Sequence, residues 1–175
     1  GEGRKPEWDT LIEKISPLAS KDSLYLAAES APDTYTNDRY ISDHPAVLGA
    51  WGILPASRLA NENVMKNTLH WIWDNWNWDH TWGWDYPMTA MNAARLGEPE
   101  KAVGALLMDK RTNTYLINGH NYQDERLRLY LPGNGGLLTA IAMMCAGWDG
   151  CNTPNPGFPK DGNWNVKWEG LQPMP

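Results

Sequence analysis

Tryptophan dominates the aromatic residues of this chain, with 11 Trp against 7 Tyr and a single Phe. An indole has a broad flat face and one N–H donor, so it suits surroundings that are apolar on one side and wet on the other. A packed interior alone would draw more heavily on Phe; ligand clefts use Trp. The densest stretch is Trp76-Asn77-Trp78-Asp79-His80-Thr81-Trp82-Gly83-Trp84-Asp85. It runs into Tyr86-Pro87, where proline suits a first helical turn. Any fold for this chain must therefore place a tryptophan-studded connection next to a helix start.

On either side of that connection the apolar spacing is helical. Trp8, Leu11, Ile12, Ile15 and Leu18 predict one helix, limited by Pro17. Ser20 to His44 is polar and turn-forming, with Leu24-Tyr25-Leu26 as a short strand, and so long a loop in a compact domain points to function. Residues 46–60 and 61–76 read as two helices of a hairpin, the second with Val64, Thr68, Trp71 and Ile72 on one face. A helix to Leu96 stops at Gly97, and Glu98-Pro99-Glu100 opens another to Met108, which makes a second hairpin. After a second long irregular segment, 110–132, Gly133-Asn134-Gly135-Gly136 is read as the lead into an apolar helix, 137–146. From Gly150 the Pro and Gly punctuation and the alternation Trp164-Asn165-Val166-Lys167-Trp168 fit an extended tail or a small β appendage. The expected class is all-α, with antiparallel helical hairpins over residues 1–150 and a β-like tail over 151–175.

With 175 residues the chain is long enough for one ordinary domain with a real core. A net charge of -6 offers no basic surface to neutralise a phosphate backbone, so nucleic acid is excluded as a partner. No run of about 18 apolar residues exists, so no membrane span is expected. Gly1-Glu2-Gly3-Arg4-Lys5 lacks an apolar signal core, but an N-terminal Gly in place of Met looks like a processing scar, and the expected location is periplasmic or secreted. No two of the four histidines sit at ligand spacing, so no metal is expected; no P-loop or dinucleotide glycine pattern occurs, so no cofactor is expected. Cys145 shares an apolar helix with Met143 and Met144, and Cys151 follows the turn-prone Gly147-Trp148-Asp149-Gly150. They read as free thiols, with a bridge as the alternative in an oxidising compartment.

The order of four short motifs carries a resemblance: Trp51-Gly52-Ile53-Leu54-Pro55, Gly83-Trp84, Ala94-Arg95-Leu96-Gly97-Glu98, and Gly133-Asn134-Gly135-Gly136 before an apolar helix. Over residues 8–150 the chain resembles the C-terminal half of the six-hairpin (α/α)6-toroid glycosidases, nearest to the inverting alpha-L-fucosidase and galactosidase family, with the maltose-phosphorylase-like group as a cousin. The resemblance implies a fold of about three hairpins, half of a closed ring. It also implies an oligosaccharide as substrate, and either a homodimer or a missing N-terminal half to cover the exposed face.

Inverting hydrolysis needs a protonated carboxyl and a water-activating carboxylate about 6.5–9.5 Å apart. The resemblance places the general acid at Glu29, about 20 residues before Trp51-Gly52, and Leu26, Ala27 and Ala28 give it an apolar flank. Where the family pattern has the catalytic Asp, before Gly-Asn, this sequence has Pro132, so the base is expected at Asp85 or Asp33 unless the attack is phosphorolytic or catalysis is lost. Among Trp76, Trp78, Trp82 and Trp84, the last two are expected to stack on sugar rings, and His120, Asn121 and Asn134 to hydrogen-bond sugar hydroxyls. His44, before Pro45, is expected to anchor a loop through its ring N–H. The resulting expectation is a glycoside hydrolase-like domain. The rival expectations are a non-catalytic carbohydrate-binding or interaction module, and a scaffold whose aromatics are all core.

Overall fold

The computed structural model describes residues 5–175, and within them the chain is mostly helical with two small antiparallel sheets. The helices are α1 (Pro6–Lys14), α2 (Asp38–Ile41), α3 (Glu62–Asn75), α4 (Asp85–Arg95), α5 (Pro99–Leu106) and α6 (Leu131–Ala146). The two hairpins are β1 (Ser20–Lys21) with β2 (Leu24–Tyr25), and β3 (Thr114–Tyr115) with β4 (Asn121–Tyr122). The first contains the short strand expected at Leu24, and its turn takes Asp22 and Ser23 through positive φ.

Helix α4 is the hub. It packs on α5, α6 and the 3-10 segment Ala46–Trp51, while α3 packs on β2 and that same segment. The interior is built from Leu48, Met65, Leu69, Ile72, Tyr86, Ala90, Met91, Ala102, Met143 and Met144 among others. Local chemistry sets the α4/α5 hairpin as expected: Gly97 leaves the helix at φ 73, and Pro99 occupies the first turn of α5, where no N–H is needed. Helix α3 starts at Asn61, whose side chain accepts from the Asn63 and Val64 amides at 2.9 and 3.2 Å.

Three expectations need correction. Residues 46–60 do not form an α-helix: the 3-10 turn ends at Trp51, and Gly52 has to lie flat against α4. A Cβ there would meet the Asn92 backbone nitrogen at 2.8 Å, while the Asn92 side chain donates through Nδ2 to the Leu48 carbonyl at 3.0 Å. Pro55 then bars any helical continuation. The 46–76 stretch is thus a 3-10 turn and one helix, and α4/α5 is the hairpin the described helices form.

The second correction is at Gly133-Asn134-Gly135-Gly136, which lies inside α6, with Pro132 in the helix's first turn. Two of its glycines serve close approach. A Cβ on Gly133 would strike the Asn121 side chain at 2.3 Å, and one on Gly136 would reach Pro87 at 2.8 Å. The third is the tail, which has no strand between residues 151 and 175 apart from a single parallel bridge between Trp148 and Met174. It folds back on the helices instead. Gly157 donates to the Met144 carbonyl at 3.0 Å, and Arg95 clasps Gly52 through Nε at 3.0 Å and the Pro175 backbone oxygen through Nη2 at 2.6 Å.

Candidate functional site

The tryptophan-rich connection divides into an anchored half and a presented half. Trp76 and Trp78 are each 7% exposed; Trp76 donates its indole N–H to the Asp43 carbonyl at 2.8 Å, and Trp78 stacks on Tyr86 at 5.9 Å between ring centroids. They are core residues and line no cleft. A buried polar network pins the chain from Thr81 to Gly83: Thr81 Oγ1 donates to the Trp78 carbonyl at 2.7 Å, Tyr86 OH pairs with Thr112 Oγ1 at 2.7 Å, and the Gly83 amide donates to Gln123 Oε1 at 3.0 Å. On this rigid segment Trp82 emerges 39% exposed, with Trp84 half-buried beside it.

Asp85 lies under these rings as the first residue of α4, with no exposed surface. Its amide donates to the Trp82 carbonyl at 3.0 Å and its Oδ2 accepts from the Trp82 amide at 2.7 Å, which closes the turn reciprocally. A helix N-terminus favours a carboxylate. Burial still pushes the Asp85 carboxyl above its ordinary range, against the downward pull of His44 and the Trp82 amide.

The partner that sequence spacing does not supply is His44. Its Nδ1 lies 3.1 Å from Oδ1 and 3.0 Å from Oδ2 of Asp85, across 41 residues of chain. The long loop delivers it by three bonds to the Trp connection: Asn77 N to the Ile41 carbonyl at 3.0 Å, Asn77 Nδ2 to Ser42 Oγ at 3.0 Å, and the Trp76 indole bond to Asp43. The expected loop-anchoring role of His44 is thus widened, since the anchor is a buried carboxylate. Asp85 raises the proton affinity of His44 above its usual value, chiefly through the hydrogen bond.

The Trp84 indole N–H also points at Nδ1, at 3.1 Å. An indole only donates. It finds an acceptor in Nδ1 only when that nitrogen is unprotonated; with the Nδ1 proton given to Asp85, the imidazole gains and loses its second proton at Nε2. Asp43 Oδ1 stands 3.8 Å from the other nitrogen, Nε2. Rings frame the imidazole: Trp84 edge-on at 5.1 Å, Trp82 tilted at 6.0 Å, and Tyr130 behind Trp82 at 5.4 Å. A half-exposed imidazole of raised proton affinity, backed by a buried carboxylate and set beside exposed indole, can donate or withdraw a proton at a bound molecule.

The structure brings Asp85, Trp82 and Trp84 together and sets the other candidates elsewhere. Glu29 lies exposed in the turn after Ala28, and Asp33 is exposed and accepts from Asn37 Nδ2 at 2.7 Å. His120 is half-buried at the tip of the β3/β4 hairpin, its amide capped by Asn118 Oδ1 at 3.1 Å. Asn121 has no exposed surface and is a packing residue: its Nδ2 donates to the Thr112 and Thr114 carbonyls at 3.1 and 3.2 Å. Its Oδ1, without a hydrogen-bond partner, lies against Gly83 and Gly133, where only Cα hydrogens fit. Asn134 uses both ends of its amide on the same hairpin, donating to the Gly119 carbonyl at 2.7 Å and accepting from the Asn121 amide at 3.0 Å.

Among the described residues no group of three or more His, Cys, Asp or Glu side chains is arranged to hold a metal ion, and no helix is long and apolar enough to cross a membrane. Cys145 is buried and Cys151 half-buried, and both are free thiols. No family model, curated protein or solved structure matches the chain.

Proposed function

We propose that this chain is a saccharide-handling domain of the toroid-glycosidase type, in which a sugar ring stacks on Trp82 and His44 transfers the proton at the scissile oxygen. The observation that carries the reading is the pairing of an exposed indole with an imidazole held from beneath by a buried carboxylate. Asp85 has no surface to offer a substrate, so its part is to orient and charge His44, and Nε2 is the atom that meets the ligand. Glu29, expected as the general acid, and Asp33 are carried exposed on the loop that delivers His44, and in this reading the proton comes from His44 in place of Glu29.

Two features support the partial-ring architecture. The motifs that carry the resemblance are contact points on α4: Gly52 on Asn92 and Arg95, and Gly136 on Pro87. The outer face of α6, with Leu131 65% and Leu138 71% exposed, is the apolar surface expected where further hairpins or a second copy would pack. A specific observation favours the non-catalytic binding module as second reading: Pro132 and Asn134 are both absorbed into α6 and its hairpin, which leaves no water-activating acid there.

An array of neutral oligosaccharides, followed by a reducing-sugar assay on those that bind, tests the reading. Binding that Trp82→Ala abolishes, with turnover that His44→Ala abolishes while binding persists, is the expected result. Binding without turnover in the parent chain selects the module, and a chain that binds no sugar overturns both readings.

A further inference from the structure

A hollow of about 810 Å³ opens where the tail returns to the end of α6. Cys145, Cys151, Asn152, Asn155, Lys167 and Trp168 are among its lining residues. The hydrogen bonds around it fix its wall. Lys160 Nζ donates to the Pro154 and Asn155 carbonyls at 2.7 and 2.8 Å, which holds Asn155 in a left-handed conformation at φ 48. The Trp168 indole N–H then donates to Asn155 Oδ1 at 2.9 Å, so a ring that is 46% exposed is nevertheless locked in orientation. The exposed part of the ring is thus held as a preorganised aromatic wall, which lowers the ordering cost of binding.

We infer that this hollow is a second ligand site, for a neutral polyhydroxylated molecule of mono- or disaccharide size. Its polar wall is made mainly of amides and hydroxyls, from Asn152, Thr153 and Asn155, groups that both donate and accept, and it carries one flat indole. That is the chemistry that recognises ring hydroxyls on one side and C–H faces on the other. Its volume lies in the range of small-molecule sites. The inference deepens the saccharide reading and rests on it for ligand class, but the two sites share no residue.

Cys151, half-buried in the same wall, supplies the reporter. In Cys145→Ala protein, the rate of Cys151 alkylation by a maleimide is measured with and without maltose, cellobiose or lactose. At least one of these sugars is expected to slow the reaction several-fold. Trp168→Ala should remove the protection, Trp168→Phe should keep part of it, and Trp82→Ala should leave it intact. Alkylation rates that no sugar alters, or protection that survives in Trp168→Ala protein with an unchanged circular dichroism spectrum, overturn the second site. Protection lost with Trp82→Ala and kept with Trp168→Ala assigns the effect to the first site and overturns this one, whereas protection without any binding at Trp82 refutes the first reading alone.

Discussion

Helices α1 and α4 both carry apolar residues at helical spacing, yet none of the nine residues of α1 is buried and ten of the eleven of α4 are. The difference lies in what approaches them. Around α4, Gly52 and Gly136 bring backbone within contact of Asn92 and Pro87, and α4's own Ala90, Ala93 and Ala94 leave room for α5 and α6. Around α1 no such approach exists among the described residues, and Trp8, Leu11 and Ile15 stay 50–57% exposed. Periodicity states that a helix can bury a face; the neighbours' backbones decide whether it does.

The comparison can be tested in order of expected effect. Met91→Ala, on the buried α4, is expected to cost about 2–5 kcal/mol in urea denaturation, the range for truncating an enclosed methionine. A cost below about 1 kcal/mol would mean that α4 is less enclosed than its geometry shows. Gly52→Ala comes next at roughly 1–3 kcal/mol, since the added methyl meets helix backbone that cannot swing aside. Gly135→Ala, in α6 with open space around it, is expected to have the opposite sign and to stabilise by roughly 0.5–1 kcal/mol. Equal effects at the two glycines would remove close approach as the cause.

A smaller effect depends on pH. The folded chain holds the His44 proton more tightly than the ordinary value of 6.5 allows, so this stabilisation is full below about 6.5 and is lost as pH rises through the higher folded value. Asp85 acts in the same direction, because its raised folded value also favours the protonated form. Asp85 and the indole of Trp84 face the ring at Nδ1, and Asp43 faces it at Nε2. In Asp85→Asn protein the decline in stability across about pH 6 to 8 is expected to flatten; a slope equal to that of the parent would place its origin elsewhere. The smallest effect belongs to α1, where Leu11→Ala should change stability by no more than about 0.5 kcal/mol.

These contrasts also mark which features are legible in the sequence. The α4/α5 hairpin is, because Gly97 and Pro99 act on their own backbone. The interruption at residues 46–60 is not, because Gly52 serves contact with Asn92, forty residues on. The glycines of 133–136 read as the lead into a helix rather than its first turns for the same reason, since close packing and a non-helical connection both call for glycine. At the site, Trp82, Trp84 and Asp85 are neighbours in sequence, and sequence alone groups them. His44 is separated from Asp85 by 41 residues and reaches the group through the loop bonds of Asn77 and Trp76, which no spacing rule contains. Glu29 rests on the order of motifs and Asp33 on its place in the long loop, and neither says anything of exposure.

The clasp made by Arg95 has a consequence for the chemistry at the other end of its helix. A planar guanidinium that grips Gly52 and Pro175 at once fixes the C-terminal turn of α4, and Asp85 begins the same rod roughly 15 Å away at 1.5 Å per residue. The carboxylate beneath His44 is therefore mounted on a strut braced at its far end, so the imidazole's proton affinity is set by a part of the molecule with little freedom to adjust.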